Sequence, residues 1–256
     1  MQERSAPFSG VGVALVTLFH RDGGIDPEAT ADLAARLVML GVRGIVVAGS
    51  TGEAASLDPD ERSRLLAAVR ASVGGAVPVL AGTGAPSARQ AVALSQRAAD
   101  DGADALLVLS PPGVDDPRPY YEAVTTAVGV PVLAYHFPTA SAPGIPVAQL
   151  AELPVAGLKD STGDPSRLAV ELDELRQGVY TGSAGLLLQA RAMGASGAIL
   201  ALANVDPAGC IRAWEGDGPC QRELISGHRS GALAGIAGLK RALAGLYGTS
   251  TTTRLG

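Results

Sequence analysis

From Gly12 onward the chain alternates short apolar runs, rich in β-branched residues, with longer amphipathic and alanine-rich stretches, and turn-forming residues separate them at nearly every junction. The apolar runs are Val13–Leu18, Gly44–Ala48, Val77–Ala81, Ala105–Leu109, Val130–Tyr135, Ala156–Leu158, Val179–Thr181 and Gly197–Leu200. Between them lie helix starts at Asp26-Pro27-Glu28, Asp58-Pro59-Asp60-Glu61, Ser87 and Asp164-Pro165. Gly41, Gly102 and Gly194 read as helix stops placed just before the next strand. Each run is apolar enough to be covered on both faces, which is the mark of parallel strands. Eight β/α units in succession predict a closed (β/α)8 barrel over residues 1–205. Residues 206–256 read as a small, shortened helical appendage packed on it, with Asp217-Gly218-Pro219 as a break and the whole as one structural unit. An open doubly wound sheet is the alternative. It wants a Gly-x-Gly-x-x-Gly turn after the first strand, whereas Gly82-Thr83-Gly84 lacks the third glycine and follows the third.

Composition narrows the function. The chain has 256 residues, 47% hydrophobic and 18% charged with a net charge of -5, and this fits one well-packed globular unit. Mild acidity, no basic run and only 4% aromatic residues argue against a nucleic-acid partner, which asks for a cationic face and stacking rings. Cys210 and Cys220 are the only cysteines, and His20, His136 and His228 lie far apart, so neither a disulfide framework nor a metal site is expected. Met1-Gln2-Glu3-Arg4 reads as no basic leader, and the apolar stretch Val11–Phe19 is too short to span a bilayer. A cytoplasmic protein acting on a small molecule is the expectation.

In a barrel of this kind the chemistry sits at the carboxyl ends of the strands, so the informative residues are those closing each apolar run. Val155-Ala156-Gly157-Leu158-Lys159-Asp160 places a lysine at the end of the sixth. Burial disfavours an ammonium, and the neutral amine is a nucleophile toward a carbonyl carbon. Alternatively Lys159 caps the strand end and pairs with Asp160 at the surface. The second strand ends in Gly49-Ser50-Thr51-Gly52-Glu53, whose hydroxyls and amides suit a carboxylate or phosphate. Tyr135 closes the fifth strand, Gly182 follows the seventh, and Gly197-Ala198-Ile199 opens the eighth. An amine to form an imine, a phenol to move protons and a hydroxyl-bearing turn to hold a carboxylate are what imine catalysis on a 2-oxo acid requires.

These segments resemble the dihydrodipicolinate synthase and N-acetylneuraminate lyase family of Schiff-base-forming aldolases and lyases. The resemblance runs through Ala14-Leu15-Val16-Thr17-Leu18-Phe19, Gly49–Glu53 followed by Leu57 and Glu61, Tyr135-His136-Phe137-Pro138, Gly157-Leu158-Lys159-Asp160-Ser161, Gly197-Ala198-Ile199 and Leu239-Lys240-Arg241-Ala242-Leu243. It implies Lys159 as the imine-forming residue and Tyr135 as general acid and base, with Ser50 also in the catalytic set. It implies Thr51, Ser50 and the main chain at Ile199 around the pyruvyl end, with Gly49 and Gly182 also in the substrate-binding set. The implied partners are a 2-oxo acid and an aldehyde, with no metal or organic cofactor, in a homo-oligomer of two or four chains.

The sequence also departs from the family's pattern. Pro112 and Gly113 stand where the synthases carry a tyrosine pair completing a proton relay, and Tyr120 and Tyr121 are the substitutes on offer. Thr139-Ala140-Ser141-Ala142 has no arginine where the synthases bind the second substrate's carboxylate, and the chain stops at Arg254-Leu255-Gly256 where relatives commonly continue into a further helix. The expectation is therefore a pyruvate-type lyase or aldolase whose acceptor is not aspartate semialdehyde. The alternatives are the synthase itself, a catalytically silent ligand-binding barrel, or a phosphate-binding isomerase built on Gly182-Ser183-Ala184-Gly185.

Overall fold

The computed structural model describes residues 6–229 and 235–255, with side chains omitted for 226–229. Met1–Arg4 and the side chain of His228 lie outside the described residues. The order is β1 (Gly10–Ala14), α1 (Pro27–Met39), β2 (Ile45–Val47), α2 (Pro59–Val73), β3 (Val79–Gly82), α3 (Ala88–Asp100), β4 (Ala105–Leu109) and α4 (Arg118–Ala127). It continues with β5 (Val132–His136), α5 (Val147–Leu150), β6 (Gly157–Asp160), α6 (Pro165–Glu174), β7 (Gly178–Thr181), α7 (Leu187–Met193) and β8 (Gly197–Leu200). Helices α8 (Pro207–Trp214), α9 (Gly218–Arg229) and α10 (Gly235–Tyr247) follow. Each strand pairs in parallel with the next and β8 returns to β1, closing a barrel of eight strands. This is the expected (β/α)8 architecture.

The helix signals operate as written. Asp26, Asp58, Ser87 and Asp164 each accept a backbone N–H at the start of their helix, and Asp58 with Glu61 forms a reciprocal capping box. Strand side chains alternate between two cores. Ala14, Val46, Leu80, Leu107, Leu133 and Ile199 turn into the barrel, while Val47, Ala81, Leu106, Ala134, Leu158 and Ala198 pack under the helices. Phe8 plugs the amino-terminal end of the barrel, where Tyr180 donates its hydroxyl to the Phe8 carbonyl at 2.6 Å. Glycine is required at Gly12 and Gly44, since a Cβ on either would stand 2.6 Å from the Phe8 ring.

The first strand corrects the expected Val13–Leu18. It runs from Gly10 to Ala14, because β8 pairs with Gly10–Val13 and β2 with Val13 and Ala14. Leu15, Val16, Leu18 and Phe19 are buried, yet the amides of Val16 and Leu18 donate to the side chains of Asn204 and Thr30 instead of to a neighbouring strand. Apolar character here reports burial and not pairing. The sixth strand runs two residues past its apolar run, to Asp160, and carries Lys159 near its end as expected.

Candidate active site

Tyr135 and Lys159 are register partners on adjacent strands β5 and β6, and both point inward where the barrel opens. Alternation along β6 sends Lys159 to the inside and Asp160 to the outside, where its carboxylate meets Arg167 Nε at 2.8 Å. The surface pair of Lys159 with Asp160 is thereby ruled out. Lys159 is 5% exposed, and its Nζ lies 4.2 Å from the centroid of the Tyr135 ring. That ring stacks on Phe137 at 5.8 Å and 17°, which fixes the plane of the phenol.

A cavity of about 600 Å3 opens over the lysine. Ser50, Thr51, Tyr135, Lys159, Gly182 and Ile199 all line it. Gly49 does not; it forms the inner limb of the turn, its carbonyl accepting from Ala54 N–H at 3.2 Å. Five strand ends thus converge on one space, from β2, β5, β6, β7 and β8. Among the described lining residues Lys159 is the sole charged group, and the wall provided by α9 and α10 is apolar, with Ile225, Ile236 and Leu239.

Three further hydroxyls, none of them assigned a part in the imine reading of the sequence, lie in the cavity. The Ser161 hydroxyl donates to Tyr135 OH at 3.3 Å, and Thr162 and Ser183 line the same space. Glycine is needed at 182 for this arrangement, since a Cβ there would come within 2.0 Å of Ser161 Oγ. The signal for Ser161 was in the sequence, two residues past the lysine on the same strand end, and went unused because a lone serine carries no chemistry without a partner. Tyr120 and Tyr121, the substitutes for the absent relay, are not in the cavity. They are buried on α4, where their hydroxyls donate to the carbonyls of Ala85 and Val108, and burial pushes the Tyr120 phenol up to about 12. Gly182, Ser183, Ala184 and Gly185 all line this same cavity.

Behind β6, on the face away from the cavity, His136, Asp160, Arg167 and Glu171 form a buried cluster. Arg167 Nε donates to both carboxylates, at 2.8 Å to Asp160 and 2.7 Å to Glu171, and its Nη2 donates to the carbonyl of Ile145 at 2.9 Å. Two carboxylates on one cation leave an excess negative charge in a dry space. Glu171 relieves it: burial and the neighbouring Asp160 push its carboxyl up to about 9. His136 Nδ1 accepts from Ile145 N–H at 2.8 Å, and burial with the Arg167 charge pushes this imidazole down to about 4. The histidine is a neutral structural acceptor for the 137–146 loop. Among the described residues no group of three His, Cys, Asp or Glu side chains is arranged to hold a metal ion.

A buried lysine set among hydroxyls at the mouth of a (β/α)8 barrel is suited to chemistry on the carbonyl group of a small molecule. Residues 7–215 match the dihydrodipicolinate synthetase family, and the chain belongs to that family. It is 36% identical to the 4-hydroxy-tetrahydrodipicolinate synthase of Corynebacterium aurimucosum, across 92% of this chain and 84% of that one. It is also 36% identical to an uncharacterized DapA-like lyase of Halobacterium salinarum, across 91% and 79%. Among solved structures, YagE, a family member from E. coli K12 determined in complex with pyruvate, superposes with a TM-score of 0.91 over 97% of this chain and 92% of that one, at 26% identity. The chain is a pyruvate-dependent lyase or aldolase.

Proposed function

We propose that Lys159 forms an imine with pyruvate or a related 2-oxo acid and that the enzyme makes or breaks a C–C bond to an aldehyde partner that carries no carboxylate near the reacting carbon. The observation behind this reading is the pairing of Lys159 with Tyr135 across β5 and β6 over a cavity lined by hydroxyls. The Lys159 amine attacks the C2 carbonyl carbon, and the Tyr135 phenol supplies a proton to the departing hydroxyl so that water leaves and a C=N bond remains. The phenolate left behind takes a proton from C3, which restores the phenol and gives an enamine. Its carbon attacks the aldehyde, and the alkoxide formed takes a proton from the phenol, with Ser161 placed to relay it. Ser50, Thr51 and the main chain at Ile199 hold the carboxylate while this happens. The reverse sequence cleaves the bond.

The acceptor assignment is supported by the residues after β5. Thr139-Ala140-Ser141-Ala142 supplies no guanidinium, and Lys159 is the one charged side chain among the described lining residues. The synthase acting on aspartate semialdehyde is the second reading, favoured by the name of the Corynebacterium relative. A cytoplasmic location and assembly into a homo-oligomer of two or four chains belong to the same proposal. No helix among the described residues is long and apolar enough to cross a membrane.

Borohydride reduction in the presence of pyruvate tests the chemistry. It should fix one reduced pyruvyl group on a peptide containing Lys159, and Lys159→Ala should abolish the adduct. An adduct on Lys240, which is fully buried and bonded to Glu53, would overturn the assignment.

A further inference from the structure

The turn that carries Ser50 and Thr51 is an unusual piece of backbone. It is bracketed by Ala48 at φ 53° and Glu53 at φ 56°, the only non-glycine residues of the described chain in the left-handed region. Neither side chain favours that conformation, so surrounding structure must hold it. Part of the hold is local: Thr17 Oγ1 donates to the Gly52 carbonyl at 2.7 Å. The rest comes from about two hundred residues away in sequence. The Glu53 carboxylate, fully buried, accepts from Lys240 Nζ at 2.6 Å and from the backbone N–H groups of Arg254 and Leu255 at 2.7 and 2.8 Å. Lys240 Nζ donates in addition to the Thr252 carbonyl at 2.7 Å. The Arg254 guanidinium spans both Glu61 carboxylate oxygens, at 2.6 and 2.7 Å, and donates to the carbonyls of Gly23 and Ser56. Both cations lie against the Phe19 ring, at 4.3 and 4.6 Å from its centroid.

Leu239, beside Lys240 on α10, and Ile236 one turn earlier line the cavity opposite Lys159. The ion pair therefore ties two walls of the site together: the hydroxyl turn on one side and the apolar α10 wall on the other. We propose that Glu53, Lys240 and Arg254 are positioning residues, a clamp through which α10 and the segment 249–255 hold Ser50 and Thr51 at the place where the substrate carboxylate binds. None of the three lines the cavity, so the clamp acts through geometry alone. This rests on the imine reading above for the identity of the ligand, and not for the mechanical role.

Three variants test it: Glu53→Gln, Lys240→Met and Arg254→Gln. The last leaves the buried pair intact and removes only the guanidinium's ties to Glu61, Gly23 and Ser56 and its contact with the Phe19 ring, so it is the safeguard should the first two not fold. With pyruvate, each soluble variant should show KM raised about tenfold to a hundredfold, the size of effect a small misplacement of a binding group produces, while kcat at saturation falls less. Rates are read well below each variant's melting temperature, where loss of folding alone leaves KM unmoved. Amide hydrogen exchange provides a measure independent of catalysis. Arg254→Gln should speed exchange in peptides covering 48–56 and leave those from β4 and β5 unchanged. Unaltered KM together with unaltered exchange at 48–56 would overturn the clamp. Failure of the wild-type protein to trap any 2-oxo acid would overturn the imine reading instead, and the exchange result would then judge the clamp by itself.

Discussion

Tyr135 shows how much of a residue's role is set by what surrounds a few atoms. Its ring stacks on Phe137 and has Lys159 Nζ 4.2 Å from its centroid, and its hydroxyl has Ser161 Oγ as partner. The hydroxyl is free of any backbone carbonyl, unlike those of Tyr120, Tyr121 and Tyr180, each of which is spent on one. A phenol without a structural bond to satisfy is available to carry protons. Tyr135→Phe keeps the ring and removes only that oxygen. Turnover should fall by about 10²–10⁴-fold, the range for a positioned acid–base group, while borohydride trapping at Lys159 survives at a reduced rate. Unchanged turnover in a steady-state assay would assign the ring to packing alone.

At the scale of elements, β6 carries Lys159 on its inner face, lining the cavity, and Asp160 on its outer face, against Arg167. The outer face is joined to α6 through Arg167 and Glu171, and to the 137–146 loop through His136 and Ile145. The protonation of Glu171 has a consequence for stability. Its carboxyl titrates near 9 in the fold and near 4.5 in the unfolded chain, so its contribution is complete below pH 4.5 and is lost as pH rises through 9. His136, titrating near 4 in the fold against 6.5 unfolded, acts in the opposite sense: its contribution is present above 6.5 and is lost as pH falls through 4. Glu171→Gln removes the first effect and leaves the second. The melting temperature of Glu171→Gln minus that of the wild type should therefore rise steadily between pH 6.5 and 9. The slope limit for one such group is about 1.4 kcal/mol per pH unit. A difference flat across that range, measured by calorimetry, would show that Glu171 is ionised in the folded protein.

The whole molecule sets which partner can enter. The barrel supplies the lysine and hydroxyls from the ends of β2, β5, β6 and β7, and α9 and α10 close the cavity with Ile225, Ile236 and Leu239. An acceptor carboxylate in such a space is bound more weakly without a fixed cation, since a charge-assisted bond contributes about 1.5–3 kcal/mol, or roughly one to two orders of magnitude in affinity. Condensation of pyruvate with aspartate semialdehyde should accordingly be poor, and a less charged or bulkier partner, such as a hydroxylated 2-oxo acid or an aryl aldehyde, should be turned over better. A coupled assay returning kcat/KM of about 10⁴ M⁻¹s⁻¹ or above for aspartate semialdehyde would refute this view of the acceptor pocket.

Hydrophobic periodicity and helix punctuation were enough, without any structure, to determine the number of β/α units, the closed barrel and the strand ends that face its mouth. They worked because apolar runs and capping residues act over a few neighbouring positions: Asp58 with Glu61, or Asp164 with Ser166, needs nothing distant. Lys159, Tyr135, Ser50 and Thr51 were legible for the same reason, each closing a run that the barrel rule aims at one end. The limits are equally physical. Val13–Leu18 is as apolar as a strand, yet hydrogen bonds to Asn204 and Thr30 replace strand pairing in its second half, the first partner 188 residues from Val16 and the second on α1. Whether Lys159 turned inward or paired with Asp160 was open until the register of β5, β6 and β7 settled which face each side chain takes. The clamp on Glu53 is invisible locally, since Lys240, Arg254 and Leu255 reach it only after the chain has closed the barrel and returned. Local pattern determines elements and their order; bonds between groups some two hundred residues apart exist only once the tertiary fold has brought them together.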